Sequence, residues 1–325
     1  MPSSQTSKFV KDALAFMKTR ALCPPNEVEN YRGRLATTLD TSSFSPTATT
    51  ANYKVDSVGY RVMPRDRKVA YVELYEDRDR SGIMAKTDLD GNIISRGEQN
   101  IEGIGVIRFR SSFDERPGWA PVYFQPWDSS GAIVRLRIPP KGTTDPDPDI
   151  FLTAAINGCS VFVQGSADSP TLYHAGGDTG QSDHNQAARF WREALAKHIR
   201  DSASARGRGS LAAEVNKTEY VKTPGTVGNA TTPRAQEYER WLKAKLDKAG
   251  RFTVTMVNPW GCVMGIRTGT TWSFYLQENA TVICNIVTKT GVEQRCYARP
   301  MALRQIFPGG ASLANMQMKV PVKIS

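Results

Sequence analysis

The chain has 325 residues, of which 40% are hydrophobic and 23% charged, and it carries a formal net charge of +10. That length can bury a large core, and the composition is that of a soluble globular protein. No apolar stretch approaches the length of a membrane span, the positive charge is too dispersed for a nucleic-acid interface, and five scattered cysteines with three histidines fit no zinc spacing. Reduced thiols, no structural metal and no nucleic-acid partner are therefore expected.

In chain order, residues 7 to 20 have helical spacing, with Phe9, Ala13, Phe16 and Met17 on one side. The opening residues lack the apolar core of a classical signal peptide. Ala36 to Asn52 is rich in Ser and Thr with almost no charge, which suits a linker. Residues 1–52 are accordingly read as a leader or flexible segment and 53–325 as the main domain. Strands are expected at Lys68–Tyr75, Gly105–Arg110, Pro121–Phe124, Ile133–Ile138, Cys159–Val163 and Thr171–His174, with a turn at Asp90-Gly91 between the first two.

A helix is expected after His174, capped by Ser182 or Asp183 and presenting Phe190, Trp191, Ala194, Leu195, His198 and Ile199 on its apolar face. Ser202 to Asn229 reads as a long basic surface loop, and Thr232-Pro233 opens a second helix that Gly250 ends. Strands return at Phe252–Val257, Gly261–Thr268, Thr271–Leu276, Thr281–Thr288 and Val292–Ala298. Few strand–helix–strand alternations occur, so the expected fold class is α+β: a central, mainly antiparallel β-sandwich flanked by helices.

The chemistry concentrates at Cys159 and His174, fifteen residues apart on two strands joined by the Ser166–Pro170 turn. A thiol is a weak nucleophile at neutral pH, and an adjacent imidazole can deprotonate it and later protonate a leaving group. Backbone amides around Asn157, Gly158 and Cys159 are candidate oxyanion donors, because glycine permits close approach of backbone to substrate. On spacing alone a second reading stands beside this one: a strand cysteine packed as core. Asp178 and Asp183 are candidates to orient His174, or ordinary turn residues.

Several segments resemble the glutamine-deamidating toxins, namely Burkholderia lethal factor and the catalytic domain of the cytotoxic necrotizing factors. Thr153-Ala-Ala-Ile-Asn-Gly-Cys159 resembles their segment ending in Leu-Ser-Gly-Cys. Gln125-Pro126-Trp127, Tyr173-His174, Ala188–Arg192, Val263–Gly269 and Ser273–Gln277 are similar to further lethal-factor motifs, in the same order. The resemblance spans roughly Val122 to Gln277. Asn157 stands where the family has Ser, nothing before about residue 100 has a counterpart, and Ser202–Asn229 reads as an insertion.

The resemblance implies a papain-like site with Cys159 as nucleophile, His174 as base, Thr153 as the third catalytic residue, and Asn157 and Gly158 in support. It implies deamidation of a glutamine in a eukaryotic host protein without metal or organic cofactor. The family's targets are Rho-type GTPases in one branch and a DEAD-box helicase of translation initiation in the other. A toxin or effector of this kind would be secreted or injected without a classical signal peptide and act in the host cytosol. The alternatives are a transglutaminase or cysteine protease using the same pair, or a non-catalytic host-binding effector.

Overall fold

Alternation of apolar and polar residues dictates the sheet that organises this molecule. In Val69–Glu76, Ala70, Val72 and Leu74 point inward while their neighbours stay half-exposed, as a strand with one covered face requires. The computed structural model describes residues 3–28, 37–40, 59–76, 83–96, 105–127, 132–176, 184–201, 203–216, 220, 240, 244 and 252–309.

In chain order the elements are α1 (Ser4–Lys11), α2 (Ala13–Met17), β1 (Ala21–Cys23), β2 (Thr37–Asp40), β3 (Gly59–Val62), β4 (Val69–Glu76), β5 (Ile83–Thr87), β6 (Ile93–Arg96), β7 (Val106–Ser112), β8 (Ala120–Gln125), β9 (Ala132–Arg137) and β10 (Ile150–Thr153). Then come β11 (Ser160–Gln164), β12 (Thr171–Ala175), α3 (His184–Asp201), α4 (Ala203–Arg206), β13 (Leu211–Val215), β14 (Phe252–Thr268), β15 (Thr271–Thr288) and β16 (Gly291–Phe307).

The larger sheet runs β1-β7-β4-β8-β10-β14-β15-β16-β5-β6 and the smaller β13-β11-β12-β9-β3-β2. Pairing is mostly antiparallel, with parallel exceptions at β1·β7, β8·β10 and β3·β9. Between the sheets lies one apolar core, to which Tyr123, Phe151, Trp272 and Phe274 come from the larger sheet and Val134, Leu136, Val161 and Leu172 from the smaller. The outer face of the larger sheet is covered by Phe9, Phe16 and Met17 of α1 and α2. Phe190, Trp191 and Leu195 of α3 cover the outer face of the smaller sheet. The order of layers is thus helix, sheet, sheet, helix, an α+β sandwich. Strands β11 and β12 are covered on both faces, which is why they read as continuous apolar runs.

Several expectations change in detail. The helix expected over 7 to 20 is two short helices, because Asp12 adopts an extended backbone and caps the second by accepting from the Ala15 amide at 2.9 Å. The expected turn at Asp90-Gly91 closes the β5–β6 hairpin at the sheet edge, with Gly91 at φ +86°. The last third forms three strands of 17, 18 and 17 residues where five shorter ones were expected. Pro259 does not break β14, since β10 pairs with that strand only at Met264 to Ile266 and the edge beside Pro259 carries no second ladder among the described residues.

The expected loop 202–229 contains α4 and the edge strand β13, which pairs antiparallel with β11. Its Leu-Ala-Ala-Glu-Val sequence has little strand propensity, so tertiary pairing decides its conformation. Within the segment read as a leader, residues 4–23 are built into the larger sheet: Phe9, Met17 and Leu22 are fully buried, and β1 pairs with β7. The caps Ser182 and Asp183, Asp178, and the start and stop of the helix expected from Thr232 to Gly250 lie outside the described residues.

Candidate functional site

Strand register fixes the relation between the thiol and the imidazole. His174 pairs with Val161 on one side and Val134 on the other, so its side chain shares their inward face. Cys159 lies two residues before Val161 and packs in the same core as Val161, Val163 and Val134. Cys159 stands just before β11, whose first residue is Ser160, so the expected strand Cys159–Val163 begins one residue later, and the register places His174 opposite Val161, two residues beyond the thiol. Both residues are buried.

Burial dominates the electrostatics. It lowers the His174 pKa from 6.5 to about 4, and the Pro126 carbonyl opposes that shift without reaching full hydrogen-bond geometry. Both imidazole nitrogens are enclosed and make no hydrogen bond among the described residues. The ring is thus neutral at pH 7, and a resting thiolate–imidazolium pair of the papain kind is not what this environment favours. Cys159 itself precedes a strand and so does not open a helix whose N-terminus could stabilise a thiolate.

Thr153 ends β10, buried, where its Oγ1 accepts from the Val263 backbone amide at 3.1 Å. It takes the place of the next ladder partner on β14, so its hydroxyl is engaged with backbone. Thr153 also pairs in register with Gln125. The buried Gln125 amide donates to the Val134 carbonyl at 2.8 Å and the Leu172 carbonyl at 3.1 Å, tying the larger sheet to the smaller beside His174. Gln125 was part of a motif in the sequence, yet only the packing gives it this role.

The connection from β10 toward Cys159 is held by backbone bonds from Ala154 to Ile156. The Ala154 amide donates to Gln125, the Ala155 amide to the Pro24 carbonyl at 3.2 Å, and Ile156 exchanges two backbone bonds with Gly261 at 2.7 and 3.0 Å. Asn157 is exposed, Gly158 is buried at φ +103°, and the Cys159 carbonyl accepts from the buried Tyr220 hydroxyl. A left-handed glycine lets the chain turn sharply from the surface at Asn157 into the core at Cys159. Gly261 is required opposite, since a Cβ there would sit 2.9 Å from the Gln277 carbonyl.

Three of the remaining thiols are held protonated by burial. Burial pushes the Cys284 pKa up to about 11 and Cys296 to about 12, and it raises Cys262 as well. Such thiols stay protonated and unreactive at neutral pH. Cys23 is half-buried in β1. Among the described residues no group of His, Cys, Asp and Glu side chains could hold a metal ion, and no helix is long and apolar enough to cross a membrane. A cleft of about 680 Å³ lined by Tyr71, Phe113, Tyr123, Asp66 and Asp145 opens toward the β9–β10 connection and includes none of the expected site residues.

No family model matches the chain, and no curated protein matches it. Among solved structures, the chain is similar to the C-terminal domain of CNFy from Yersinia pseudotuberculosis, at 7% identity and a TM-score of 0.35, over 92% of this chain and 97% of that one. A likeness of that size assigns neither residues nor an activity to this chain.

Proposed function

We propose that this protein is a toxin or effector that deamidates a glutamine side chain of a eukaryotic host protein, with Cys159 as nucleophile and His174 as base. The observation that supports the reading is that His174 pairs with Val161, two residues beyond Cys159, and that Cys159 packs in the core to which Val161 and Val134 belong. They are also the two residues at the centre of the toxin-like motifs. A Rho-type GTPase or a translation-initiation helicase is the class of target the motifs favour, and the site of action is the host cytosol.

The chemistry follows from the environment. A neutral ring whose nitrogens make no full hydrogen bond among the described residues can take the Cys159 proton as the sulfur approaches the substrate carboxamide carbon. Negative charge developing on sulfur raises the affinity of the ring for that proton, offsetting the effect of burial. The backbone amides at Gly158 and Cys159 are the proposed donors to the oxyanion. Collapse of the tetrahedral intermediate breaks the C–N bond, and the imidazolium returns its proton to the departing ammonia. Water, deprotonated by His174, then attacks the thioester, releasing glutamate and restoring the thiol. In this scheme Thr153 acts by holding β10 against β14, and Asn157 marks the approach to the thiol.

Wild-type protein and Cys159→Ser, each incubated with eukaryotic cell lysate, test the proposal by peptide mass spectrometry. A gain of about 1 Da at one glutamine, made by the wild type alone, is expected from exchange of amide for hydroxyl through a thioester. Amine incorporation at that glutamine would identify a transglutaminase, and new peptide termini a protease. A Cys159→Ser protein that keeps its full effect on cells would sink the catalytic reading and favour a binding protein.

A further inference from the structure

The N-terminal segment is tied by hydrogen bonds, at several points, to the segments that flank Cys159 and His174. The buried Gln277 amide on β15 donates to the carbonyls of Met17 and Arg20, both at 2.7 Å, and its oxygen accepts from the Leu22 amide at 2.9 Å. That one side chain satisfies three backbone groups where α2 ends and β1 begins. Beyond it, the Pro24 carbonyl accepts from Ala155, in the connection leading to Cys159, and the Asn26 carbonyl accepts from the Trp127 amide at 2.8 Å. Trp127 follows Pro126, whose carbonyl acts on the His174 ring. Side chains reinforce the link, since Cys23 and Ala155 pack on one small cluster with Ala21, Val106 and Trp260.

We infer that residues 17–26, anchored by the Gln277 amide, are a brace that positions Cys159 and His174 relative to each other. The inference rests on the deamidase reading above. It makes the segment before residue 28 a working part of the site, and it assigns Gln277 as a positioning residue that touches neither thiol nor imidazole. The physical reason is that the two site-bearing loops, 125–127 and 154–158, lie on different strand ends and share this segment as a common support. Removing the Gln277 amide orphans two carbonyls and one amide in a dry environment, so the segment must lift away to find water.

The test uses the full chain and iodoacetamide, with alkylation located by peptide mass spectrometry across a pH series. In Gln277→Met, Cys23 should label about threefold faster or more, reporting local release of the brace. The pH midpoint of Cys159 alkylation should move by about half a unit or more, because the surroundings of its partner ring change. Trp272→Phe, a core change toward the far end of the sandwich, should move neither. Trp127→Pro deletes the N–H that donates to Asn26 without entering the core, and it should shift the Cys159 profile even if Gln277→Met does not fold. A reactive wild-type Cys159 whose profile is unchanged in both brace variants overturns the brace and leaves the deamidase reading standing. A wild-type Cys159 no more reactive than the buried Cys262 overturns the deamidase reading, and the brace with it.

Discussion

Replacing His174 by leucine should abolish a specific part of the protein's acid sensitivity. The folded ring has its pKa lowered from 6.5 to about 4 by burial, so between those values the unfolded chain binds a proton that the native protein does not. Stability therefore rises with pH across that window: it is fully present above about 6.5 and is lost as pH falls, the loss ending near 4. At roughly 1.4 kcal/mol for each pH unit, the difference amounts to about 3 kcal/mol. Urea unfolding of wild type and His174→Leu at pH 7, 6, 5 and 4 isolates this contribution. Carboxylates held low by partners, such as Asp147 and Glu293, act equally in both proteins and cancel in the difference. The wild type should lose about 3 kcal/mol more than the variant between pH 7 and pH 4. Parallel pH dependences in the two proteins, or a His174 resonance, assigned by its loss in His174→Leu, that titrates near 6.5, would refute the claim that this ring is held dry and neutral.

Other outcomes follow from the same structure. Phe9→Ala should cost about 3–5 kcal/mol in chemical denaturation, because Phe9 is fully buried against the larger sheet; a change under about 1 kcal/mol would restore the reading of this segment as a free leader. Arg267→Met should cost about 3 kcal/mol, since the guanidinium is completely buried and pairs with Asp147 at 2.8 Å and Asp149 at 2.6 Å. Its loss should also free the 139–149 connection to proteolysis. Gly261→Ala should destabilise by about 1–3 kcal/mol, as its Cβ would press the Gln277 carbonyl, with a matching fall in thermal midpoint.

How much of this was legible in the sequence depends on the range of the interaction involved. The strands carrying Val161 and His174 are readable because both faces are buried, leaving uninterrupted apolar runs with turn residues between them. The apolar face of α1 and α2 is readable from Phe9, Phe16 and Met17, whereas the break between the helices depends on the backbone of Asp12, which periodicity does not see. Cys159 and His174 could be named as a pair, but the place of His174 opposite Val161 follows only from the strand register, which is set by hydrogen bonds between strands. Thr153 was placed by resemblance, and its engagement with the Val263 amide required the long-range pairing of β10 with β14. Gln125 and Gln277 stood in recognised motifs, but their roles as hydrogen-bonding ties were not legible, for a physical reason. A glutamine in an otherwise apolar strand looks like a surface residue until the distant carbonyls it satisfies are brought beside it. The faint signal was present, for a polar side chain flanked by buried positions asks where its hydrogen bonds go.

The hydrogen bonds from Gln277 to the Met17 region join residues 260 apart, and this separation orders events during synthesis. Translation at about 5–20 residues per second leaves the early segment waiting about 15–50 s before its anchor emerges. Throughout that interval Phe9, Phe16 and Met17 have no completed sheet to cover, since Cys262, Tyr275 and Leu303 are also made late. An element made 260 residues before its anchor is thus late to dock, and long-range closure of this kind is slow. A nascent chain that already contains Cys159 and His174 has not yet gathered the groups that hold them. Thiol chemistry is in this way deferred until Gln277 has been made.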